Sequence, residues 1–584
     1  MLPSNLPTQG PTRDKLEQPF NHWLARQTHG ISPVSLQLAY ADWLHHLLLS
    51  PSRQIALSAS ALAQWLHWLL YASQAWRDDG AAPADCAAWD RRFAHSGWKK
   101  PPFNALVQAF LLQQQWWAQA STGVRGVSRH HEEMVAFTAR QWLDMWSPSN
   151  FIATNPQVQQ KTLATAGTNL LNGWAHWWRD ALAVLGDGKA RGVEKFIPGE
   201  TVATTAGEVV FSNALIELIQ YRPLTPQVDV EPVLIVPSWI MKFYILDLTP
   251  RDSLVAYLVG QGHTVFMVSW KNPTSEDRNL GLNDYLELGV MQALQAMQRL
   301  QPQARVHAMG YCLGGTLLAI AAAALAESGP RVLKTLTLLA AQTDFNEPGE
   351  LGLFIDECQI AFLEDLMAQR GYLDGRQMAG AFALINSKDL VWSKLVREYL
   401  MGARTPMTAL RAWNADATRL PQRMHSEYLR RLYLHNELAE GRYRVAGKAI
   451  RLADISLPLC VVATQRDHVS PWQSVYQVGR LVSGTVDFVL STGTHNAGIV
   501  NPPAGMNGHA QAGFRAACHA PGELPADPQQ WLDRTPMRSG SWWPYWDQWL
   551  HAHSSGTMAP AEIRTERGAA GAPLAAPGLY VHQH

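Results

Sequence analysis

The run Met309-Gly310-Tyr311-Cys312-Leu313-Gly314-Gly315 sets a thiol in the frame Gly-x-nucleophile-x-Gly. A short apolar stretch, Arg305 to Met309, precedes it, and an Ala/Leu-rich helical stretch follows. That context is the one a nucleophile elbow requires: a cramped strand-to-helix turn that lifts one reactive side chain clear of the sheet. Side chains at the flanking glycines would strike neighbouring backbone. The N-terminus of the following helix favours a thiolate, and the Leu313 N–H would face an oxyanion. The same pentapeptide arises by chance, and a free Cys is commonly a buried small hydrophobe. The strand before and the helix after decide for a nucleophile.

An elbow predicts an acid and then a histidine further along the chain. Asp467 lies in Thr464-Gln465-Arg466-Asp467-His468, just past an apolar run. Asp344, also past a strand, is the rival acid; position before the last strand favours Asp467. His495 lies in Ser491-Thr492-Gly493-Thr494-His495-Asn496, after that last run, where a general base belongs. His468 precedes the last strand and is read as structural. The second oxyanion donor is placed in Pro237-Ser238-Trp239-Ile240-Met241-Lys242, at the backbone N–H of Trp239 or Ile240. No phosphate loop, dinucleotide fingerprint or metal-ligand spacing stands out, and spacing alone identifies no cofactor. The chemistry so reached is acyl transfer by Cys, His and Asp. A thiolate suits a thioester substrate, because the leaving thiolate is chemically similar.

These residues need a frame. The grammar is helical from Asn21 to Trp146, with Ser147-Pro148-Ser149-Asn150 and Thr154-Asn155-Pro156 as turn or cap signals and a further helix carrying Trp174, Trp177 and Trp178. Gly/Pro breaks such as residues 78–85 separate the helices. Near Gly192 the pattern changes. Buried-strand runs appear at Val233–Val236, Thr264–Val268, Arg305–Met309, Thr335–Leu339, Leu459–Ala463 and Val486–Leu490, with helical segments between most of them. Continuous apolar strands alternating with helices predict a parallel sheet covered on both faces. About 120 residues separate the fourth run from the fifth. They read as a mainly helical cap inserted over the carboxyl edge of the sheet, where α/β enzymes bind ligands.

The fold expected is therefore α/β: an α/β-hydrolase fold with an inserted helical cap and a helical N-terminal domain. The boundaries are a loose N-terminus over 1–20, a helical domain over 21–195, the first part of the core over 196–344, the cap over 345–455, the second part of the core over 456–552, and a C-terminal tail over 553–584.

Composition agrees with such a chain. Of 584 residues, 47% are hydrophobic and 16% charged, enough apolar material for sizeable cores and too little charge for disorder. Lys plus Arg and Asp plus Glu are 48 each, so no basic excess points to nucleic acid. Cys86, Cys312, Cys358, Cys460 and Cys518 are scattered and odd in number, which argues for a reducing compartment. The first twenty residues lack the apolar region of a signal peptide. The longest apolar stretch, near Leu317 to Leu325, is far short of the ~18 residues that span a bilayer. Twenty-four Trp exceed ordinary usage and fit either a core or an apolar contact surface.

The chain resembles the polyhydroxyalkanoate synthases, class I-like, which polymerise (R)-3-hydroxyacyl-CoA. The resemblance runs from about residue 100 to the end. It includes Trp146-Ser147-Pro148-Ser149-Asn150, Glu217-Leu218-Ile219-Gln220-Tyr221, Val265 to Pro273, Trp413 to Pro421, Gly540-Ser541-Trp542-Trp543-Pro544 and Ala576-Pro577-Gly578-Leu579-Tyr580-Val581. Asn21 to Ser60 is similar to an N-terminal extension of some members. The resemblance implies that Cys312 carries the growing chain as a thioester and that His495 deprotonates it. Asp467 would orient His495 or help activate the substrate hydroxyl. It also implies no cofactor, CoA thioester being the substrate, and a cytoplasmic homodimer at the surface of polyester granules. Asn496 stands where many members have Ile. Two other readings use the same residues: a thioesterase or polyester hydrolase with the same triad, and a granule-associated paralogue of weak activity.

Overall fold

A computed structural model describes residues 17–28, 30–75, 90–186, 191–302, 304–328, 331–375, 377–378, 380, 385, 387–508, 511–565 and 574–584. Most of the loose N-terminus, the break at 78–85, Cys86 and part of the cap lie outside them. The chain divides into two compact units: the described residues of Met1–Ile31, Gly192–Ala379 and Thr408–His584, and those of Ser32–Arg191 and Gly380–Met407.

The first unit is built on a ten-stranded sheet. Its strands are β1 (Gly207–Ser212), β2 (Ile216–Tyr221), β3 (Val233–Val236), β4 (Val265–Trp270), β5 (Val306–Tyr311), β6 (Leu333–Leu339), β7 (Leu459–Thr464), β8 (Val486–Ser491), β9 (Gly513–His519) and β10 (Arg538–Ser539). The spatial order is β1-β2-β4-β3-β5-β6-β7-β8-β9-β10. Strands β4, β3, β5, β6, β7 and β8 pair in parallel. They are the six runs legible as buried strands, and β3, β4, β5, β7 and β8 are buried along their whole length.

The expectation of an all-parallel sheet is corrected at both edges. Strands β1, β2, β9 and β10 pair antiparallel. Their sequences do not read as apolar runs. In β2, Glu217 and Gln220 are buried, and Glu217 is tolerated because it accepts backbone N–H bonds from Leu579 and Tyr580. Strand β9, next to the edge strand β10, carries Arg515 and His519, and polar residues suit a strand near an exposed edge.

The helix Leu313–Ser328 follows β5 and is buried from Leu313 to Ala323, a stretch rich in Gly and Ala. Small side chains let it lie near the sheet, which fixes the position of its N-terminus and hence of Cys312.

The insertion between β6 and β7 is mainly helical among its described residues, with Glu357–Ala368, Ala409–Asn414 and Gln422–Tyr428 prominent. It does not stay in one piece: the described residues of 380–407 cluster with the helical unit, and its other described residues with the sheet. The tail after 552 is tied to the core. Thr557–Met558 pairs with Val228–Asp229, and Lys242 Nζ donates to the carbonyls of Tyr580 and Gln583 at 3.1 and 2.7 Å.

The second unit packs Phe103–Ser121 and Arg129–Met145 about Phe93, Trp98 and Phe110. Its turn motif is structural. Asn150 Nδ2 donates to the carbonyl of Asp144 at 2.7 Å, and Asn155 Oδ1 caps Pro156–Ala164 through the N–H groups of Gln157 and Val158. Among the described residues no helix is long and apolar enough to cross a membrane.

Candidate active site

Cys312 sits at the end of β5 with φ at 53°, in the left-handed region that a residue with a Cβ adopts at a cost of order 1–3 kcal/mol. The surroundings hold it there. Its N–H donates to Leu339 O at 2.9 Å, and its carbonyl accepts from Gly315 N at 2.9 Å. A Cβ on Gly310 would lie 2.6 Å from Gly315 N, and one on Gly314 would press on the carbonyls of Val236 and Pro237. The glycines are thus required by close backbone approach, and the thiol is left half-buried.

Two loops at the carboxyl ends of β7 and β8 complete the constellation. Asp467 Oδ2 lies 2.7 Å from His495 Nδ1 and accepts from Thr464 Oγ1 at 2.8 Å. Its Oδ1 accepts from the N–H groups of Val469 and Ser470 at 2.9 and 2.8 Å. Burial works against charge on this carboxyl, but His495 and these donors hold its pKa below the usual range. Burial likewise opposes a charged His495. The charges of Asp467 and Cys312, and hydrogen bonds to both, nevertheless raise its pKa well above that of a free imidazole. This environment favours the imidazolium form of His495 once it has taken a proton. Asp344 is engaged elsewhere, accepting from Asn346 N and Asn436 Nδ2. His468 is exposed.

Around the thiol stand residues that spacing did not single out. Tyr311 Oη donates to Asn496 Oδ1 at 2.7 Å, and Asn496 Nδ2 reaches Asn414 Oδ1 at 3.3 Å. The ring of Tyr311 lies 5.5 Å from that of His495. Tyr428, from the insertion, is buried and Tyr433 is half-buried; desolvation first, and the Cys312 charge as well, keeps both phenols protonated. No one-dimensional signal marks them, since they converge from segments about 120 residues away in sequence.

Of the oxyanion candidates, Leu313 opens its helix, whose first N–H groups have no partner within the helix. The Ile240 N–H is directed at Ser238 Oγ, 3.4 Å away. The carbonyls of Trp239 and Ile240 are both held by Thr418, through its hydroxyl and its N–H.

Strand order, elbow and the sequence nucleophile–acid–histidine define the core as an α/β-hydrolase fold, and a model of the alpha/beta hydrolase fold matches residues 231–502. The chain belongs to the poly(3-hydroxyalkanoate) polymerase family. Family models for the Poly-beta-hydroxybutyrate polymerase (PhaC) N-terminus and the Poly-beta-hydroxybutyrate polymerase N terminal match residues 89–258 and 11–53. The Poly(3-hydroxyalkanoate) polymerase of Methylorubrum extorquens is 40% identical over 84% of this chain and 80% of that protein. The Poly(3-hydroxyalkanoate) polymerase subunit PhaC of Cupriavidus necator is 36% identical over 86% and 85%. Among solved structures, a hydrolase from Pseudomonas aeruginosa is 17% identical, covering 50% of this chain and 92% of that one, with a TM-score of 0.28.

Proposed function

We propose that this chain polymerises (R)-3-hydroxyacyl-CoA, releasing CoA, through an acyl thioester on Cys312. Family membership makes it an acyltransferase-type enzyme of polyhydroxyalkanoate synthesis. The observation that carries the finer reading is the 2.7 Å contact of His495 Nδ1 with Asp467 beside a Cys in strained, left-handed backbone.

In this mechanism Asp467 accepts the Nδ1–H of His495, so that Nε2 takes the proton from the Cys312 thiol. The thiolate attacks the thioester carbonyl. The N–H groups of Leu313 and Trp239 hold the oxyanion, Ile240 being occupied by Ser238. The tetrahedral intermediate collapses, the CoA thiolate leaves with the His495 proton, and the acyl group stays on Cys312. The 3-hydroxyl of another acyl unit then loses its proton to His495 and attacks the acyl carbonyl, forming an ester and returning the thiol. Synthesis needs water kept away at this step. Buried Tyr428 and half-buried Tyr433, both within the electrostatic reach of Cys312, support that exclusion. The reading carries with it a cytoplasmic homodimer at a granule surface. Exposed Leu171, Trp174, Trp178 and Leu182 on the helix Thr168–Leu185 suit contact with an apolar polymer.

The test is a paired assay on (R)-3-hydroxybutyryl-CoA, following CoA release while separating polymer from free acid. CoA with polymer supports the proposal; CoA with free acid alone establishes a hydrolase. Cys312→Ala is expected to abolish both.

A further inference from the structure

At the opposite edge of the sheet from Cys312, four ionisable side chains converge where the acyl-transfer chemistry has no use for them. Asp229 precedes β3 and His263 precedes β4, so both lie at amino ends of strands. Asp547 and His551 lie one turn apart on the helix Trp543–His553. The two imidazoles stack with centroids 4.5 Å apart. Asp547 Oδ1 lies 2.9 Å from His263 Nε2 and 3.5 Å from His551 Nε2. Asp229 Oδ2 lies 3.4 Å from His263 Nδ1 and 2.8 Å from His551 Nδ1.

We propose that Asp229, His263 and His551 bind one divalent metal ion of the zinc class, with Asp547 as the outer carboxylate that orients both rings. Asp547 lies within hydrogen-bond distance of His263 Nε2, which leaves the Nδ1 atoms of both rings as the ones nearest Asp229 Oδ2. His263 Nδ1 is fully buried and makes no hydrogen bond, which is an orphaned polar atom aimed into the cluster. Zinc–ligand bonds near 2.0–2.1 Å in a tetrahedron put ligand atoms about 3.3 Å apart, and the observed 2.8 and 3.4 Å bracket that spacing. The three ligand atoms lie within 4.8 Å of one another. A carboxylate behind metal-bound histidines is the usual orienting arrangement. The His551 side chain is 39% exposed, so water reaches the fourth position. Ser554 Oγ donates to the same Asp229 oxygen at 3.0 Å and contacts His307 Nε2 at 3.1 Å. The ion would pin the last long helix, and the segment after it, to the base of β3 and β4. Ligands spread from 229 to 551 give no motif spacing, which is why the sequence reading of no metal site misses them.

The experiment uses the full-length protein, stripped with EDTA and then titrated with Zn²⁺ and, for absorption, Co²⁺. Wild type is expected to take up about one tight equivalent per chain. It should show the visible absorption of nitrogen/oxygen-ligated Co²⁺ and unfold several degrees higher with metal. His551→Gln, at a partly exposed position, should lose the tight equivalent, the absorption and the thermal shift. Asp547→Asn should weaken affinity about 10–100-fold, while His435→Gln, at an exposed site elsewhere, should change nothing. Absence of a tight equivalent in wild type, or equal uptake by His551→Gln, overturns the proposal.

Discussion

The indole N–H of Trp542 donates to the carbonyl oxygen of Gly498 at 3.0 Å, and that of Trp543 does the same to Ile499 at 3.0 Å. Both bonds span 44 residues and grip the turn that begins at His495. The histidine is therefore positioned from two sides, by Asp467 on its ring and by two buried indoles on the backbone that follows it. Replacing Trp542 with Phe removes one of two donors to the Gly498 carbonyl, which keeps the bond from Ser491 Oγ at 2.9 Å. Loss of about 0.5–1.5 kcal/mol of stability is expected, with CoA release slowed roughly 3–10-fold by a misplaced base. Thermal unfolding and steady-state rates measure both; unchanged rates would mean the His495 turn needs no such support.

Asp467 raises the pKa of His495, together with Cys312 and against the effect of burial. In Asp467→Asn that attraction is gone, so the imidazolium should lose its proton at lower pH than in the wild type. NMR titration of isotope-labelled histidine reads the midpoint directly. The rate of CoA release should fall by roughly 10²–10⁴-fold. A midpoint that does not move would show that Asp467 contributes no field at the imidazole.

Asp180 ties residues 394–404 to the helix Thr168–Leu185 in the second unit. It accepts from Arg404 at 2.6 and 3.0 Å and from Tyr399 Oη at 2.9 Å, with Lys394 Nζ 3.1 Å away. Burial opposes its charge, but Arg404, Tyr399 and Lys394 lower its pKa from 3.8 to about 2. A carboxyl with a depressed native pKa stabilises fully above its unfolded value and loses that contribution as pH falls toward the folded one. The contribution should therefore fade between about pH 4 and pH 2, and Asp180→Asn should flatten the acid limb of stability there. At neutral pH the variant should lose about 1 kcal/mol, the scale of a partly exposed ion-pair network. Denaturant melts across pH distinguish the two chains.

Glu217 holds the C-terminal segment by accepting from Leu579 N at 2.9 Å and Tyr580 N at 3.0 Å. Glu217→Ala strands these N–H groups and should cost about 1–3 kcal/mol. Limited proteolysis should then cut more readily within 574–584 than in the wild type; equal resistance would assign the anchoring to the segment's other bonds, such as Tyr580 Oη to Asn213 O, Ala576 N to Gly207 O and those from Lys242.

Much of the core could be read without coordinates. Strands β3 to β8 are near-continuous apolar runs because both faces of a parallel sheet are covered, and that burial leaves a direct mark in composition. The elbow is legible because its glycines are demanded by backbone contact. The antiparallel edges are not legible: β2 hides a buried Glu217 whose partners lie more than 360 residues away. Nor is the division of the insertion, since the helical turns Lys388–Trp392 and Leu395–Leu400 read like those of the rest of the insertion and only packing assigns them to the helical unit.

The residue types and chain order of Cys312, Asp467 and His495 belong to the sequence alone, because local turn chemistry and strand order constrain them one segment at a time. The Tyr311–Asn496–Asn414 chain, the phenols of Tyr428 and Tyr433, and the Asp229–His263–His551 cluster exist only once the chain is folded. Each is a meeting of side chains whose spacing along the chain carries no period, so tertiary packing, and no local preference, brings them within bonding distance.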